Sequence, residues 1–316
     1  MGEIHKKIRV GVVGVGHLGI HHARIYASLP GVELVGVVDL DQCRAREIAK
    51  QYHCMATPDV RTLIGKIDAA SVVVPTLAHD AVASTLLDAH IHVLLEKPMA
   101  STLLEADHLT TLSAKRGMVL QVGHIERFNA GFLALQKRVR QPRFIECHRM
   151  GPFTNRGIDV SITLDLMIHD IDAALCLIRD QVVEIRAMGV SVLTPHIDIA
   201  NARLRFAQGA VANLTASRVS PTKLRKLRLF EPQTYFSLDY LQQELTICKA
   251  ERNRPETNHP SVSSEKMTFE KTEPLYEELA AFIRAVKNGT APEVSAQDGR
   301  NALEIALEVE RLMHVG

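Results

Sequence analysis

Three stretches of the sequence carry side chains whose types and spacing could do chemistry together. In HVLLEKPMA, residues 92–100, an apolar run ends abruptly in Glu96, Lys97 and Pro98. In DLMIHDID, residues 165–172, Asp165 and His169 are four apart, so they share one face of a helix, with Asp172 near that face. In VVGVGHLGIHHAR, residues 12–24, Gly14, Gly16 and Gly19 have the G-x-G-x-x-G spacing.

The glycine spacing suits a dinucleotide. Gly14 permits a tight turn, Gly16 lets a pyrophosphate approach the backbone, and Gly19 allows close packing of helix on strand. His17 and Leu18 lie in the same loop, and the helix that follows offers unpaired N–H groups to phosphate. Asp39 stands 20 residues beyond Gly19, where a carboxylate accepts hydrogen bonds from a ribose diol and repels a 2′-phosphate. This favours NAD over NADP; the route to NADP would be Arg44 or Arg46 reaching back. The bland alternative is a glycine turn in some other α/β protein.

Lys97 and the Asp165/His169 pair suit the oxidation of a hydroxyl. A carbon that loses hydride must see its hydroxyl lose a proton, so a base is required. An imidazole whose tautomer is set by a neighbouring carboxylate can be that base. A partly desolvated lysine has a lowered pKa and can steady an oxygen that gains negative charge. The residues leave open which of Lys97 and His169 is the base. They also leave open a solvated Lys97 paired with Glu96, an ordinary acidic helix face, and a metal held by Asp165, His169 and Asp172. No further His, Cys or carboxylate cluster completes such a metal shell, so no metal is expected. Pro98 raises the expectation of a cis peptide after Lys97.

The elements that position these groups are legible as hydrophobic patterns. Apolar runs at 8–13, 33–39, 69–75, 92–96 and 118–122 read as strands buried on both faces. Helical patterns at 17–29, 41–52, 58–65, 78–89 and 102–116 alternate with them, which implies a doubly wound parallel sheet. Ligands of such sheets bind at the carboxyl ends of the strands, where Lys97 falls. Beyond residue 125 come a helix over 128–139, a strand RFIECHRM, a polar loop over 151–161 and the helix 163–178. Longer runs with period-two alternation follow at 181–193, 198–207, 210–219, 223–230, 234–240 and 243–249, as expected of an open, largely antiparallel mixed sheet. The segment 250–265 reads as a loop, and helices over 274–287 and 296–314 close the chain. The expected fold is α/β, with a Rossmann domain over 1–124 and a second α/β domain over 125–316.

Bulk properties remove other classes. The chain of 316 residues has 37 basic and 36 acidic side chains, a formal net charge of +1, which signals neither nucleic acid nor a membrane surface as partner. Five scattered cysteines without a CxxC pair read as reduced thiols, hence a cytoplasmic protein. No apolar run reaches membrane-spanning length, and the amino end reads directly into a strand rather than a signal peptide.

The fingerprint, the stretch VVPTLAHDAVASTLLDAHIHVLLEKPMA and the helix DLMIHDID, in that order, resemble the Gfo/Idh/MocA family of oxidoreductases over essentially the whole chain. The resemblance implies that Lys97, Asp165 and His169 are catalytic, and that Pro75, Thr76, His79 and Glu96 lie against NAD. It also implies an oligomer, a homodimer or homotetramer, built on the open sheet of the second domain. A narrower likeness is carried by GHIERFN (123–129), RMGPFTNRGIDVSITLDLMIHDID and TASRVSPTKLRKLRLFEP (215–232). It points to the branch of the family that oxidises the 3-hydroxyl of UDP-N-acetylglucosamine for a partner aminotransferase, a step toward lipid A in some bacteria. Glu126, Arg127 and Arg156, with Lys97 and His169, are then the expected substrate contacts; Arg149 and the run from Lys223 are further cations for the diphosphate. The loop after residue 150 is short for a nucleotide-sugar enzyme of this family, so the grip on the diphosphate is not evident. Alternatives are a dehydrogenase of a free polyol or simple sugar such as an inositol, and a non-catalytic NAD-binding regulator.

Overall fold

The structure is a computed structural model that describes residues 7–153, 160–251 and 261–313. It divides into two compact units. Unit 1 comprises residues 1–125 and 275–301; unit 2 comprises 126–274 and 302–316.

Unit 1 holds a six-stranded sheet in the order β3-β2-β1-β4-β5-β6. The strands are β1 (Ile8–Val13), β2 (Val32–Val38), β3 (Met55–Thr57), β4 (Ala69–Val72), β5 (His92–Glu96) and β6 (Leu120–Gly123), paired in parallel throughout. The order reverses between β1 and β4, the switch point at which doubly wound sheets bind ligands. Helices α1 (Gly19–Ser28), α2 (Gln42–Tyr52), α3 (His79–Asp88) and α4 (Leu103–Arg116) connect the strands. Asp41 caps α2 by accepting from the N–H groups of Cys43 and Arg44, and Thr102 with Glu105 forms a capping box on α4. The expected helix over 58–65 is a short 3-10 turn, Val60–Leu63. Val10, Val12, Ile25, Tyr26 and Leu94 are fully buried in the core.

The carboxyl-terminal part of the chain departs from a single boundary at 124/125. Helix α7 (Pro274–Asn288) places Leu279 and Phe282 in the unit 1 core, and the first residues of α8 (Ala296–Met313) also belong to that unit. Gly299 permits this packing, because a Cβ there would lie 2.6 Å from the Val122 side chain.

Unit 2 holds an eight-stranded sheet in the order β14-β13-β12-β11-β7-β10-β9-β8. Its strands are β7 (Phe144–Met150), β8 (Val182–Val190), β9 (Ile199–Phe206), β10 (Val211–Ser217), β11 (Leu224–Glu231), β12 (Thr234–Asp239), β13 (Glu244–Glu251) and β14 (Ser261–Thr268). Only β7 and β10 pair in parallel; the rest of the sheet is antiparallel. Strand β14 begins within the stretch 250–265 expected to be loop and runs three residues past it. Its polar residues alternate with none buried, as befits an edge strand with no core face to display. Along β9 the alternation sends Ala200, Ala202, Leu204 and Phe206 inward, where α5 (Ala130–Gln136) and α6 (Ile168–Ile178) supply Phe132 and Ile171.

Candidate active site

In unit 1 the glycine loop follows β1 and opens α1, as the spacing requires. Gly14 adopts φ +88°, and a Cβ on it would meet the Val73 carbonyl oxygen at 2.5 Å. A Cβ on Gly19 would run into the carbonyl oxygen of Gly14. Around Gly16 there is nothing within 4 Å, so the loop is open to an approaching ligand on that side alone. A cavity of about 910 Å³ is lined by Gly14, Gly16, Asp39, Arg44, Pro75 and Ala78, among others. His17 and Leu18 are exposed at the loop, and Thr76 is half-buried beside Pro75.

Asp39, just past β2, is held at both ends. Its Oδ2 accepts from the Val15 N–H at 2.9 Å and its Oδ1 from the Asp41 N–H at 2.9 Å. The carboxylate thus ties the glycine loop to the tip of β2 and keeps its charge in the cavity wall. Arg44 lies 3.3 Å from Asp41, and Arg46 hydrogen-bonds the Gln42 carbonyl. These residues fit a dinucleotide: an open Gly16, a helix amino end and a carboxylate at ribose distance along the chain.

Lys97 is half-buried immediately after β5, and the Lys97–Pro98 peptide is cis, as the sequence led one to expect. The turn is anchored from α3. His79 is buried, with Nδ1 3.0 Å from the Pro98 carbonyl and Nε2 2.9 Å from the Val74 carbonyl. Burial lowers its pKa, while the two carbonyls pull the other way. His79 therefore joins the end of β4 to the turn that bears Lys97. Glu96 is buried; its Oε2 accepts from the Lys97 N–H at 3.3 Å, and its Oε1 lies 3.2 Å from His22 Nε2. Gly123, paired with Glu96 across β5 and β6, leaves the room: a Cβ there would stand 3.0 Å from the Glu96 carboxyl.

In unit 2, Asp165 lies in a π-turn, Thr163–Met167, that runs directly into α6, where His169 sits on the first turn. Both are half-buried. π-turns inside helices recur at functional sites because the widened turn re-aims the side chains on it. The Ser161 hydroxyl accepts from the Thr163 and Leu164 N–H groups and starts the turn.

The residues around His169 are held by two forked ion pairs. Arg149 donates to both oxygens of Asp170 at 3.0 Å and to Glu126 at 2.8 Å. Arg127 donates to both oxygens of Asp172 at 2.7 Å. Arg149, Glu126, Asp170 and Asp172 are buried. Burial raises the pKa of Asp170, and the Arg149 charge opposes that rise. Glu126 and Arg127, expected as substrate contacts, and Arg149, a further cation for the diphosphate, are all engaged in ion pairs within unit 2. The signal for Arg149 was present in β7, where alternation puts Ile145, Cys147 and Arg149 on the core face. The KLRKLR run from Lys223 enters strand β11 at Leu224, with Lys226 3.5 Å from Asp239 and Arg228 3.0 Å from Glu146. Arg156 lies outside the described residues. Asp172, engaged by Arg127, is withdrawn from any metal set. Among the described residues no group of three or more His, Cys, Asp or Glu is arranged to hold a metal, and no helix is long and apolar enough to cross a membrane.

Comparison with known proteins agrees with this fold. Residues 8–124 match the oxidoreductase family with an NAD-binding Rossmann fold, and residues 132–232 match the GFO/IDH/MocA C-terminal domain. The chain is 37% identical over 303 residues to UDP-N-acetylglucosamine 3-dehydrogenase of Acidithiobacillus ferrooxidans, covering 96% of each. A solved structure of the Acidithiobacillus ferrooxidans enzyme superposes with a TM-score of 0.91, covering 98% of each chain at 36% identity. Myo-inositol 2-dehydrogenase of Thermotoga maritima is 26% identical, with 94% of this chain and 93% of that protein covered. With a dinucleotide fingerprint in unit 1 and matches across both units, this chain belongs to the Gfo/Idh/MocA family of oxidoreductases.

Proposed function

We propose that the chain oxidises the 3-hydroxyl of UDP-N-acetylglucosamine to a ketone with NAD. The observation that carries the substrate is the full-length likeness to the Acidithiobacillus ferrooxidans enzyme, at 37% identity over 96% of both chains. The observation that carries the cofactor form is Asp39, fixed by Val15 and Asp41 in the cavity wall with Arg44 beside Asp41. A negative charge there accepts a ribose diol and opposes a 2′-phosphate.

Bound at the glycine loop, NAD supplies the hydride acceptor. The chain's own residues then do the following. Gly14, Gly16 and Gly19, with His17 and Leu18, shape the loop that receives the pyrophosphate, and Pro75 and Thr76 wall the cavity. His169, oriented by Asp165, takes the hydroxyl proton. Lys97 donates a hydrogen bond to the same oxygen and steadies its negative charge; the exchange of roles between Lys97 and His169 is decided by their pH profiles. Arg149 and Arg127 act through Asp170 and Asp172, holding the helix that carries His169. The product ketone suits transamination by a partner aminotransferase. The protein works in the cytoplasm as a homodimer or homotetramer joined through its open sheet.

The test offers UDP-N-acetylglucosamine and myo-inositol in parallel, each with NAD and with NADP, and follows absorbance of the reduced cofactor. Turnover of the nucleotide sugar with NAD supports the proposal. Turnover of the inositol alone moves the chain to a polyol dehydrogenase, and no turnover with tight NAD binding makes it a regulator.

A further inference from the structure

Glu278 on α7 is an acid with no place in the chemistry above. It is fully buried, and neither carboxyl oxygen has a hydrogen-bond partner among the described residues. The neighbouring polar groups come from three elements of unit 1. Strand β5 contributes Glu96, whose charge acts directly on Glu278. Helix α1 contributes His22, fully buried, and Tyr26, whose hydroxyl is 2.8 Å from Ser71 Oγ and lies where a charge on Glu278 would act on it. Strand β6 contributes Gln121, also fully buried, whose Nε2 donates to the Glu278 backbone carbonyl at 3.2 Å, while its Oε1 has no partner among the described residues. His124 is buried just past β6.

Two buried carboxyl groups that act on each other cannot both carry charge without a large cost. Glu96 has what a carboxylate needs: the Lys97 N–H at 3.3 Å and His22 Nε2 at 3.2 Å, the latter too oblique for a hydrogen bond. Among the described residues Glu278 has neither a cation nor a donor, and an ionised carboxylate so placed is strongly disfavoured. We propose that Glu278 is a neutral, proton-bearing positioning residue, set behind Glu96 so that Glu96 alone holds the negative charge that fixes the Lys97 turn. The direction of titration agrees: burial, then the Glu96 charge, push Glu278 well above the ordinary carboxyl range. The positioning role, though not the proton, rests on the reading of Lys97 as a catalytic group.

Ionising Glu278 would place two like charges in one closed site and drive Glu96 from its place under Lys97. High pH should therefore disturb Lys97 through Glu278, and a neutral isostere should remove that sensitivity. The sign follows from linkage. The folded chain keeps a proton that the unfolded chain loses above the ordinary carboxyl range, so wild type loses stability relative to Glu278→Gln as pH rises. The loss is about tenfold in the folding equilibrium per pH unit until the folded group titrates.

The test uses the full-length protein with 13C-carboxyl glutamate. Infrared spectra at neutral pH should show a protonated carboxyl stretch in wild type that Glu278→Gln lacks. Denaturation of the two proteins over a pH series should show the widening gap, with Gln the more stable. Turnover of Glu278→Gln should match wild type at neutral pH and persist to higher pH. Identical infrared spectra, or a stability gap that does not change with pH, would overturn the neutral acid. An unshifted alkaline limb of turnover would overturn its positioning of Lys97. Because the infrared and denaturation readouts need no substrate, they hold even if the chain proves to turn over neither test compound.

Discussion

His79 Nδ1 stands 3.0 Å from the carbonyl oxygen of Pro98, the residue that follows Lys97, while its other nitrogen reaches Val74. One buried side chain thus sets the height of the lysine relative to the end of β4. Replacing His79 with Ala removes the one N–H that a neutral imidazole can donate to these two carbonyls, a cost of about 1–3 kcal/mol in stability. The lysine would lose its aim before the fold is lost. The expected outcome is a fall in kcat of about tenfold or more with little change in the dissociation constant for NAD, read by steady-state kinetics and a binding titration.

The preference for NAD proposed above rests on Asp39. Asp39→Ser removes the charge opposed to a 2′-phosphate and leaves Arg44 at the cavity wall. The ratio of kcat/KM for NAD over NADP should fall by about tenfold or more, about 1.4 kcal/mol. An unchanged ratio would remove Asp39 from the specificity argument.

Arg149 closes a buried network with Asp170 and Glu126. Arg149→Met removes the guanidinium that pairs Asp170 and Glu126, leaving Arg225, 3.7 Å from Glu126, as the remaining cation, which costs about 3–5 kcal/mol. Those carboxylates should then take up protons in the folded state. The deficit is therefore larger at pH 8 than at pH 5, since the unfolded chain gives its protons up at the ordinary carboxyl pKa. Chemical denaturation at the two pH values checks both the size and the sign.

Asp198, at the turn between β8 and β9, is fully buried and accepts from the N–H groups of Val192, Leu193 and Thr194 and from the Thr194 hydroxyl. Burial opposes its charge, but these four donors win and hold its pKa down at about 2. A depressed carboxyl contributes stability that is present above its unfolded pKa and lost as pH falls toward the folded one. Asp198→Asn should cost about 1–2 kcal/mol at pH 7, and the gap to wild type should close below about pH 3. A thermal-melt series over that range reads it.

How far the sequence reveals these features depends on whether a residue's partners are local. Gly14, Gly16, Gly19 and Asp39 are legible because a strand, a turn and a helix amino end impose their spacing within one βα unit. Lys97 is legible because a strand end is written in the hydrophobic run before it. Arg149 looked like a free cation, and only the alternation along β7 marks it as core-facing. Glu278 gives no local sign at all, since α7 returns to unit 1 from more than 150 residues beyond β6. The first residues of β14 carry no strand signal because an edge strand with no buried residue shows no hydrophobic period.

The central proposal is that Lys97 and His169 both take part in oxidising the sugar hydroxyl. Single-turnover formation of NADH, with enzyme in excess over UDP-N-acetylglucosamine, tests it most directly in Lys97→Ala and His169→Ala. Each variant should slow the step by about 10²–10⁴-fold while NAD still binds. Near wild-type rates in both would contradict the account.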